Sequence, residues 1–404
     1  MTSLNGLRWE VVTQLAPLVA LAPEWDALVA ASAHPEVVRG SDWNLTWWEV
    51  FGSEDDRQLR VLVVRDGDEL VGLAPLLLRP IHTLLDPTRA DGGSKLALPV
   101  ALQRLELIGS GEPHADEICS DYVGIVAKVG YESAIAETLA AALGGAREAL
   151  LGSSSEDGLG RHDELVLPSL PEDDVMLEPL TRALAPLGRL ERRVEADALV
   201  LELPASWDDF LASRRSSQRY RIRRTLRRFE QWSGGEHAIV RADDRASLDR
   251  GLTILAELHE ERWSRDGRRG AFSSPHFAQF HRKVLPRLFE RGQVGLTWLV
   301  ADGRPVAAQY NLFSGNTLRF YQAGRAMDLR NDVCVGLTLH LWEIARAIEE
   351  GLREYDFLAG AQRYKAELST RRRSLLQLRL LRRTPTAQLF RAGWWAVDWA
   401  RRRR

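Results

Sequence analysis

The chain has 404 residues, 45% of them hydrophobic and 27% charged, with 54 basic against 56 acidic side chains. That balance excludes a disordered chain, a collagen and a disulfide scaffold, and at about 150 residues per domain it predicts two or three domains, each able to bury its own core. Two cysteines, Cys119 and Cys334, lie too far apart for a zinc or redox motif, and a reducing cytoplasm is the simplest setting.

The first thirty residues mix Arg8, Glu10, Glu24 and Asp26 with apolar positions and lack the charged-then-apolar order of a signal peptide. Leu70 to Leu78, the longest nearly apolar run, is far short of the roughly 20 residues that span a bilayer. Charge is uneven: from Arg371 to Arg404 eleven arginines face one acid, Asp398, giving +10 against −12 elsewhere. Basic residues are almost all arginine, a compositional bias that singles out the few lysines, Lys95, Lys128, Lys283 and Lys365.

In chain order, Leu59 to Arg65 predicts a strand, Asp66-Gly67 a hairpin turn, and Leu70 to Leu78 a returning strand interrupted by Pro75. A strand at Leu105 to Gly109 follows, then an acidic loop from Glu112 to Asp121 and an alanine-rich helix from Glu132 to Leu143. Short strands are expected at Glu164 to Leu167 and Ala198 to Leu203, with a domain boundary near residue 195 between them. Ser206 can cap a helix starting at Trp207. A second helix, Ser216 to Trp232, places Ile222, Leu226 and Phe229 on one apolar stripe and ends at Ser233-Gly234-Gly235. Helices are predicted at Ser247 to Trp263 and Pro275 to Arg291, and a hairpin from Gly295 to Phe313 turns at Asp302-Gly303.

Beyond Ser314-Gly315-Asn316 lie a strand at Thr317 to Ala323, a loop at Gly324 to Val333, a helix from about Val335 to Glu350 ended by Gly351, and a strand at Arg353 to Leu358. Strand, loop, helix and strand make a crossover that sets two parallel strands side by side. Ligands bind at the carboxyl ends of such strands, and the helix start, with its unpaired amides, suits a pyrophosphate.

The ordered series His259, Arg262-Trp263, Asp302-Gly303-Arg304-Pro305-Val306-Ala307, Tyr321 with Gly324-Arg325 and Asp328, and Tyr355-Asp356-Phe357-Leu358-Ala359-Gly360 with Tyr364-Lys365 resembles the CelD-like acyltransferase family of the GNAT superfamily, which is similar in plan to the Fem aminoacyl transferases. Ser41-Asp42-Trp43, Trp47-Trp48, Leu73-Ala74-Pro75-Leu76 and Ser120-Asp121-Tyr122 extend the resemblance over nearly the whole chain, to about residue 382. It implies a mixed α/β fold of two tandem GNAT-like domains, each a mixed twisted sheet flanked by helices. Residues 1–195 would be a degenerate scaffold, 196–382 the acyltransferase domain and 383–404 a basic Trp/Arg tail.

The resemblance further implies acetyl-CoA or another acyl-CoA as cosubstrate, no metal, and transfer to an amine or hydroxyl on a small molecule or a polysaccharide or cell-envelope precursor. The pantetheine arm would lie along Thr317 to Ala323 and the pyrophosphate on the loop and helix start from Arg325 to Thr338, including Arg330, Gly336 and Leu337. The usual phosphate loop reads Gln/Arg-x-x-Gly-x-Gly/Ala; here Arg330-Asn331-Asp332-Val333-Cys334-Val335 has no glycine at either place, and Gly336 comes one position late. A carrier-protein thioester and an aminoacyl-tRNA therefore stay open as donors, as do a Fem-like tRNA-dependent transferase and a non-catalytic binding scaffold as alternatives to the acyl-CoA enzyme.

Attack on a thioester needs a neutral nucleophile, donors for the oxyanion and an acid for the thiolate. Tyr321 can protonate the thiolate or stack on the acceptor, or be a half-buried strand residue. Asp356, at a strand's carboxyl end, can take a proton or orient the acceptor, or cap the next helix. Lys365 can bind the donor's phosphates or an acceptor carboxylate, or be a solvated lysine. His259 has a suitable pKa for a base, although single histidines are usually structural. No spacing suggests a metal, and there is no Gly-x-Ser-x-Gly elbow.

Eight arginines between Arg214 and Arg228 can grip tRNA, a carrier protein, lipid headgroups or CoA phosphates, or form a solvated face. No RNA-binding signature with interleaved aromatics is evident, so nucleic acid is not the expected partner, with tRNA kept open. In the tail, Leu389-Phe390, Trp394-Trp395, Val397 and Trp399 among arginines fit either a helix in the membrane interface or packing on the first domain. The expectation is a cytoplasmic protein, with peripheral contact at the membrane's inner face as the alternative the tail allows.

Overall fold

A computed structural model describes residues 2–4, 6–83, 97–144, 158–265, 267–360 and 362–401. The chain divides into two compact units, one formed by Met1–Ala196 with Ser374–Arg404 and the other by Asp197–Arg373.

The first unit opens with β1 (Thr2–Leu4), β2 (Leu7–Val12), α1 (Leu15–Ala20), α2 (Ala22–Ala30) and α3 (Ser41–Phe51). The Asp26 carboxylate ties down the start of α3 by accepting from both the Ser41 amide and its hydroxyl, each at 2.8 Å. Trp43, Trp47 and Phe51 then recur every fourth residue and are fully buried. Next come β3 (Gln58–Leu59), β4 (Val61–Asp66), β5 (Glu69–Ala74) and β6 (Leu76–Thr83). The β4–β5 hairpin turns where Gly67 has φ +57°, and the run from β5 to β6 breaks at Pro75, which has no amide to donate. β7 (Ala97–Leu107), β8 (Val126–Ala127), α4 (Glu132–Gly144), β9 (Glu164–Pro171) and α5 (Leu177–Leu184) follow. β1, β2, β4, β5 and β8 form one sheet, in that order.

β10 (Gly188–Glu202) passes from the first unit into the second, which continues with α6 (Trp207–Ala212), α7 (Ser216–Ser233), β11 (His237–Arg241), α8 (Arg245–Arg265), α9 (Pro275–Glu290), β12 (Val294–Ala301), β13 (Arg304–Ser314) and β14 (Thr317–Arg325). α10 (Val335–Glu349), β15 (Glu354–Ala359) and α11 (Arg363–Leu368) lead to β16 (Arg371–Arg382), which returns to the first unit and ends in α12 (Pro385–Arg401). The second unit's strands run β11-β12-β13-β14-β15-β10. Ser206 caps α6 by accepting from the Asp209 amide at 3.1 Å, and α7 ends at Gly234 with φ +62°. The β12–β13 turn puts both Asp302 (φ +53°) and Gly303 (φ +70°) in the left-handed region, as the primed hairpin turn requires.

The second unit's core joins Leu201, Phe210, Ile222, Leu318, Phe320, Leu341, Ile344, Tyr355, Phe357 and Leu368, packing α6, α7, α10 and α11 against one face of the sheet. On β14 a Cβ at Gly324 would stand 2.6 Å from the His259 amide nitrogen, so α8 rests directly on the strand's backbone there.

Three strands depart from the sequence expectations. β10 spans 15 residues rather than the expected short strand, and β7 begins well before Leu105. β16 was not expected as a strand, and from Ser374 it belongs to the first unit. The tail is a helix whose buried Ala387 and Phe390 join Ile81, Leu102 and Leu381, while Arg379 lies 4.1 Å over the Trp394 ring. Lys95 and Arg402 to Arg404 lie outside the described residues. Among those described, no helix is long and apolar enough to cross a membrane.

Candidate active site

The crossover β14–α10–β15 forms as a parallel pair with a short register. β14 and β15 are partners only at Thr317↔Glu354, Leu318↔Tyr355 and Arg319↔Asp356. Beyond Arg319 the strands follow different neighbours: β14 stays on β13 as far as Ala307↔Arg325, while β15 stays on β10 as far as Ala198↔Ala359. A split thus opens toward the carboxyl ends of both strands, with main-chain edges that no longer pair with each other.

At its apex Asp356 is fully buried, accepting from Arg319 Nη1 at 2.5 Å, Arg373 Nη1 at 3.3 Å and the Leu358 amide at 2.8 Å. Two guanidinium groups balance its charge, so it serves here as an ionic clamp. Its bond to Leu358 holds that residue at φ +55°, in the left-handed region. Lys365 is buried on α11, and its Nζ donates to the carbonyls of Phe357 at 2.7 Å and Ala359 at 3.1 Å while lying 5.5 Å from the centroid of the Phe320 ring on β14. An ammonium therefore satisfies carbonyls that β14 has left behind.

Tyr321 lies on the opposite face from Phe320. Its hydroxyl is 3.2 Å from His281 Nε2, and its ring meets those of Tyr310 and His281 at centroid distances of 4.9 and 5.2 Å. Burial lowers the His281 pKa to about 3, so that imidazole is neutral. Burial also raises the Tyr310 hydroxyl far above its ordinary value. His259 is buried too, and its Nε2 accepts from the Trp263 indole at 3.0 Å. That bond places the ring proton on Nδ1 and engages the nitrogen a base would use. Burial lowers its pKa as well.

The start of α10 has no side-chain cap, so its first-turn amides are not used by its own N-cap residue. A Cβ at Gly336 would find only Arg325 Cδ, at 3.4 Å. Leu337 is partly buried against the core, and Thr338 is fully buried, its hydroxyl and its amide both donating back to the Cys334 carbonyl, at 3.1 and 2.9 Å. Arg330 is exposed and bound to Asp332 at 3.2 Å, and Asp332 also meets Arg228 at 3.3 Å. The structure thus gathers Arg319, Asp356 and Lys365 at the split, and Arg325, Arg330 and Gly336 at the helix start. Tyr321 and His259 sit on the other face of the sheet. His281 and Arg373 were not anticipated; the signal for His281 is its place on the apolar stripe of α9 with Phe277, Phe280 and Val284. Among the described residues no cluster of three or more His, Cys, Asp or Glu side chains could hold a metal ion.

Residues 216–366 match the family model described as Acetyltransferase (GNAT) domain, a stretch that runs from α7 into α11 and contains the whole split. This part of the chain is a GNAT acyltransferase-type domain. FemX is similar in structure at a TM-score of 0.57 and 14% sequence identity, with 91% of this chain and 98% of that chain covered. L-PGS from Bacillus licheniformis is similar at 0.50 and 11% identity, covering 92% and 96%, and a conserved protein of unknown function from Bacteroides thetaiotaomicron at 0.50 and 11%, covering 92% and 99%. These are likenesses of fold, and with such coverage they run through both units. None of the curated proteins matches the chain.

Proposed function

We propose that the second unit transfers an acyl group from a phosphopantetheine thioester, acyl-CoA being the soluble form, to an amine or hydroxyl acceptor, with polysaccharide and cell-envelope precursors as the acceptor class. The observation that carries this reading is the loss of β14–β15 pairing after Arg319 and Asp356. It leaves main-chain donors and acceptors facing a narrow gap, which an amide-containing arm can bond as a strand does. The α10 start and Arg325 suit the arm's phosphate, and the GNAT match over residues 216–366 supports the chemistry.

In the transfer the acceptor's nitrogen or oxygen bonds to the acyl carbon, the carbon–sulfur bond breaks, and the departing thiolate takes up the proton the acceptor gives up. Lys365 is assigned to the charge developing on the acyl oxygen, because its ammonium is already buried at the split. Tyr321, its hydroxyl beside neutral His281, is assigned the relay of that proton, giving its own to the thiolate and recovering the one the acceptor gives up.

Calorimetry with acetyl-CoA and a longer acyl-CoA tests this reading. The wild-type protein is expected to bind at least one. Gly336→Phe, which has room in the first turn, should weaken that binding by about tenfold or more without lowering the melting temperature. Binding of no acyl-CoA, or equal binding by the variant, would sink the proposal.

A further inference from the structure

Helix α7 carries a row of guanidinium groups that the second unit leaves without partners. Its inner side is Ile222, Thr225 and Phe229, with Phe229 edge-on to Trp342 of α10 at 5.4 Å. On the outer side Tyr220, Arg223, Arg224 and Arg227 fall at i, i+3, i+4 and i+7, which is one helix face, and all four are exposed. Among the described residues those three arginines make no ion pair or hydrogen bond. Their neighbours are engaged: Arg214 donates to the Leu368 carbonyl, Arg219 to that of Arg214, Arg221 pairs with Glu367, and Arg228 with Asp332. The fold gives these four side chains hydrogen-bond or ion-pair partners and leaves the outer ridge charged, with neighbours of like sign in mutual repulsion.

A second observation concerns what the donor carries. Asp332, in the loop before α10, holds Arg228 and Arg330, so a carboxylate already pairs with two of the arginines that meet that loop. A CoA ester brings a diphosphate and a further phosphate to such a place and has to contend with that carboxylate. The same arm attached to a protein serine brings a single phosphodiester.

Resting on the acyl-transfer reading above, we infer that the donor is delivered by an acidic carrier protein, whose phosphopantetheine arm enters the split while an acidic helix docks on the Tyr220–Arg227 ridge. Charge complementarity gives such a helix its register and speeds encounter. The ridge, about 10 Å long at the helical rise, matches one short helix. A nucleic acid fits less well: the chain's net charge is −2 and the ridge offers one aromatic ring, whereas a polynucleotide is tracked by a longer run of phosphate contacts.

The test uses fluorescence anisotropy with a labelled acyl carrier protein bearing an acetylated phosphopantetheine arm, beside calorimetry with acetyl-CoA. The carrier should bind about tenfold or more tighter than acetyl-CoA at low salt, and progressively less tightly as salt rises. The triple variant Arg223→Glu, Arg224→Glu, Arg227→Glu should lose about thirty-fold or more in carrier affinity while binding acetyl-CoA as before, with its melting curve showing it folded. Unchanged carrier binding by the variant, or a carrier that binds no tighter than acetyl-CoA, overturns the inference. So does ridge-dependent binding of tRNA in place of the carrier. If an acyl-CoA binds and the carrier does not, only this inference falls; if no acyl-CoA binds, the acyl-transfer reading falls and this inference with it.

Discussion

Among the described residues each unit contains one parallel strand pair, and each is paired over only three positions. In the first, β7 and β9 are partners at Arg104↔Glu164, Leu105↔Leu165 and Glu106↔Val166; in the second, β14 and β15 pair over three positions and then part. Both pairs carry a buried carboxylate between two arginines, Glu164 with Arg104 and Arg379 and Asp356 with Arg319 and Arg373, but Asp356 stands at the last paired position and Glu164 at the first, the last position of the β7–β9 pair being held by Glu106 with Arg79. The difference lies beyond the apex. In the first unit the connection after β7 is long, and the Tyr122 amide donates to the Ser169 carbonyl at 3.1 Å, past the last strand pair. Arg39 Nε fixes that loop by donating to the Tyr122 carbonyl at 2.9 Å and is itself paired with Asp174. In the second unit a short connection leads to α10, and one lysine satisfies the exposed carbonyls. Where the chain supplies its own main-chain partner the strand end is structural. Where a flexible side chain supplies it, the end can still receive a ligand.

Substitutions can break this comparison at its strongest point first. Glu164→Gln and Asp356→Asn each remove the carboxylate that a buried arginine, Arg104 or Arg319, pairs with, and each should cost about 3–5 kcal/mol in urea unfolding. Only Asp356→Asn should also weaken acyl-CoA binding; an equal loss from Glu164→Gln would erase the distinction between the units.

A smaller effect comes from Glu112, which anchors the first unit's loop by accepting from the Trp47 indole at 3.1 Å and the Ile118 amide at 2.8 Å. Burial raises its carboxyl from 4.5 to about 7. The unfolded chain therefore loses the proton first, and this residue's contribution falls as pH rises from 4.5 to about 7, then stays level, a loss of about 3 kcal/mol. Glu112→Gln keeps an acceptor and should flatten that slope; a variant with the same slope as wild type assigns it elsewhere. Smallest, Lys365→Met removes the ammonium that the buried Phe357 and Ala359 carbonyls accept from, for about 2 kcal/mol of stability. Its melting curve beside that of wild type checks this, and no change would mean the carbonyls find another donor.

Much of the second unit was legible because its punctuation is local. Asp302-Gly303, Ser314-Gly315-Asn316 and the stripe of Leu337, Leu341, Ile344 and Ile348 suffice to mark hairpin, strand and helix. β16 was hidden because Arg371, Arg373 and Arg379 read as solvated charge; Arg373 and Arg379 gain their meaning only from Asp356 and Glu164, far off in sequence. The charged start of β10 concealed a strand for the same reason. Lys365 was visible as a rare lysine, yet its carbonyl partners follow from a strand divergence that no spacing encodes. The left-handed backbone at Tyr122 and Leu358 is likewise a tertiary product.

Amide hydrogen exchange with and without a saturating acyl-CoA reads both strand ends in one experiment. The account predicts added protection at Phe320 to Arg325 and in the first turn of α10, with Tyr122 and its surroundings unchanged. Protection around Tyr122 instead, or none at β14 from a ligand that calorimetry shows to be bound, would contradict it.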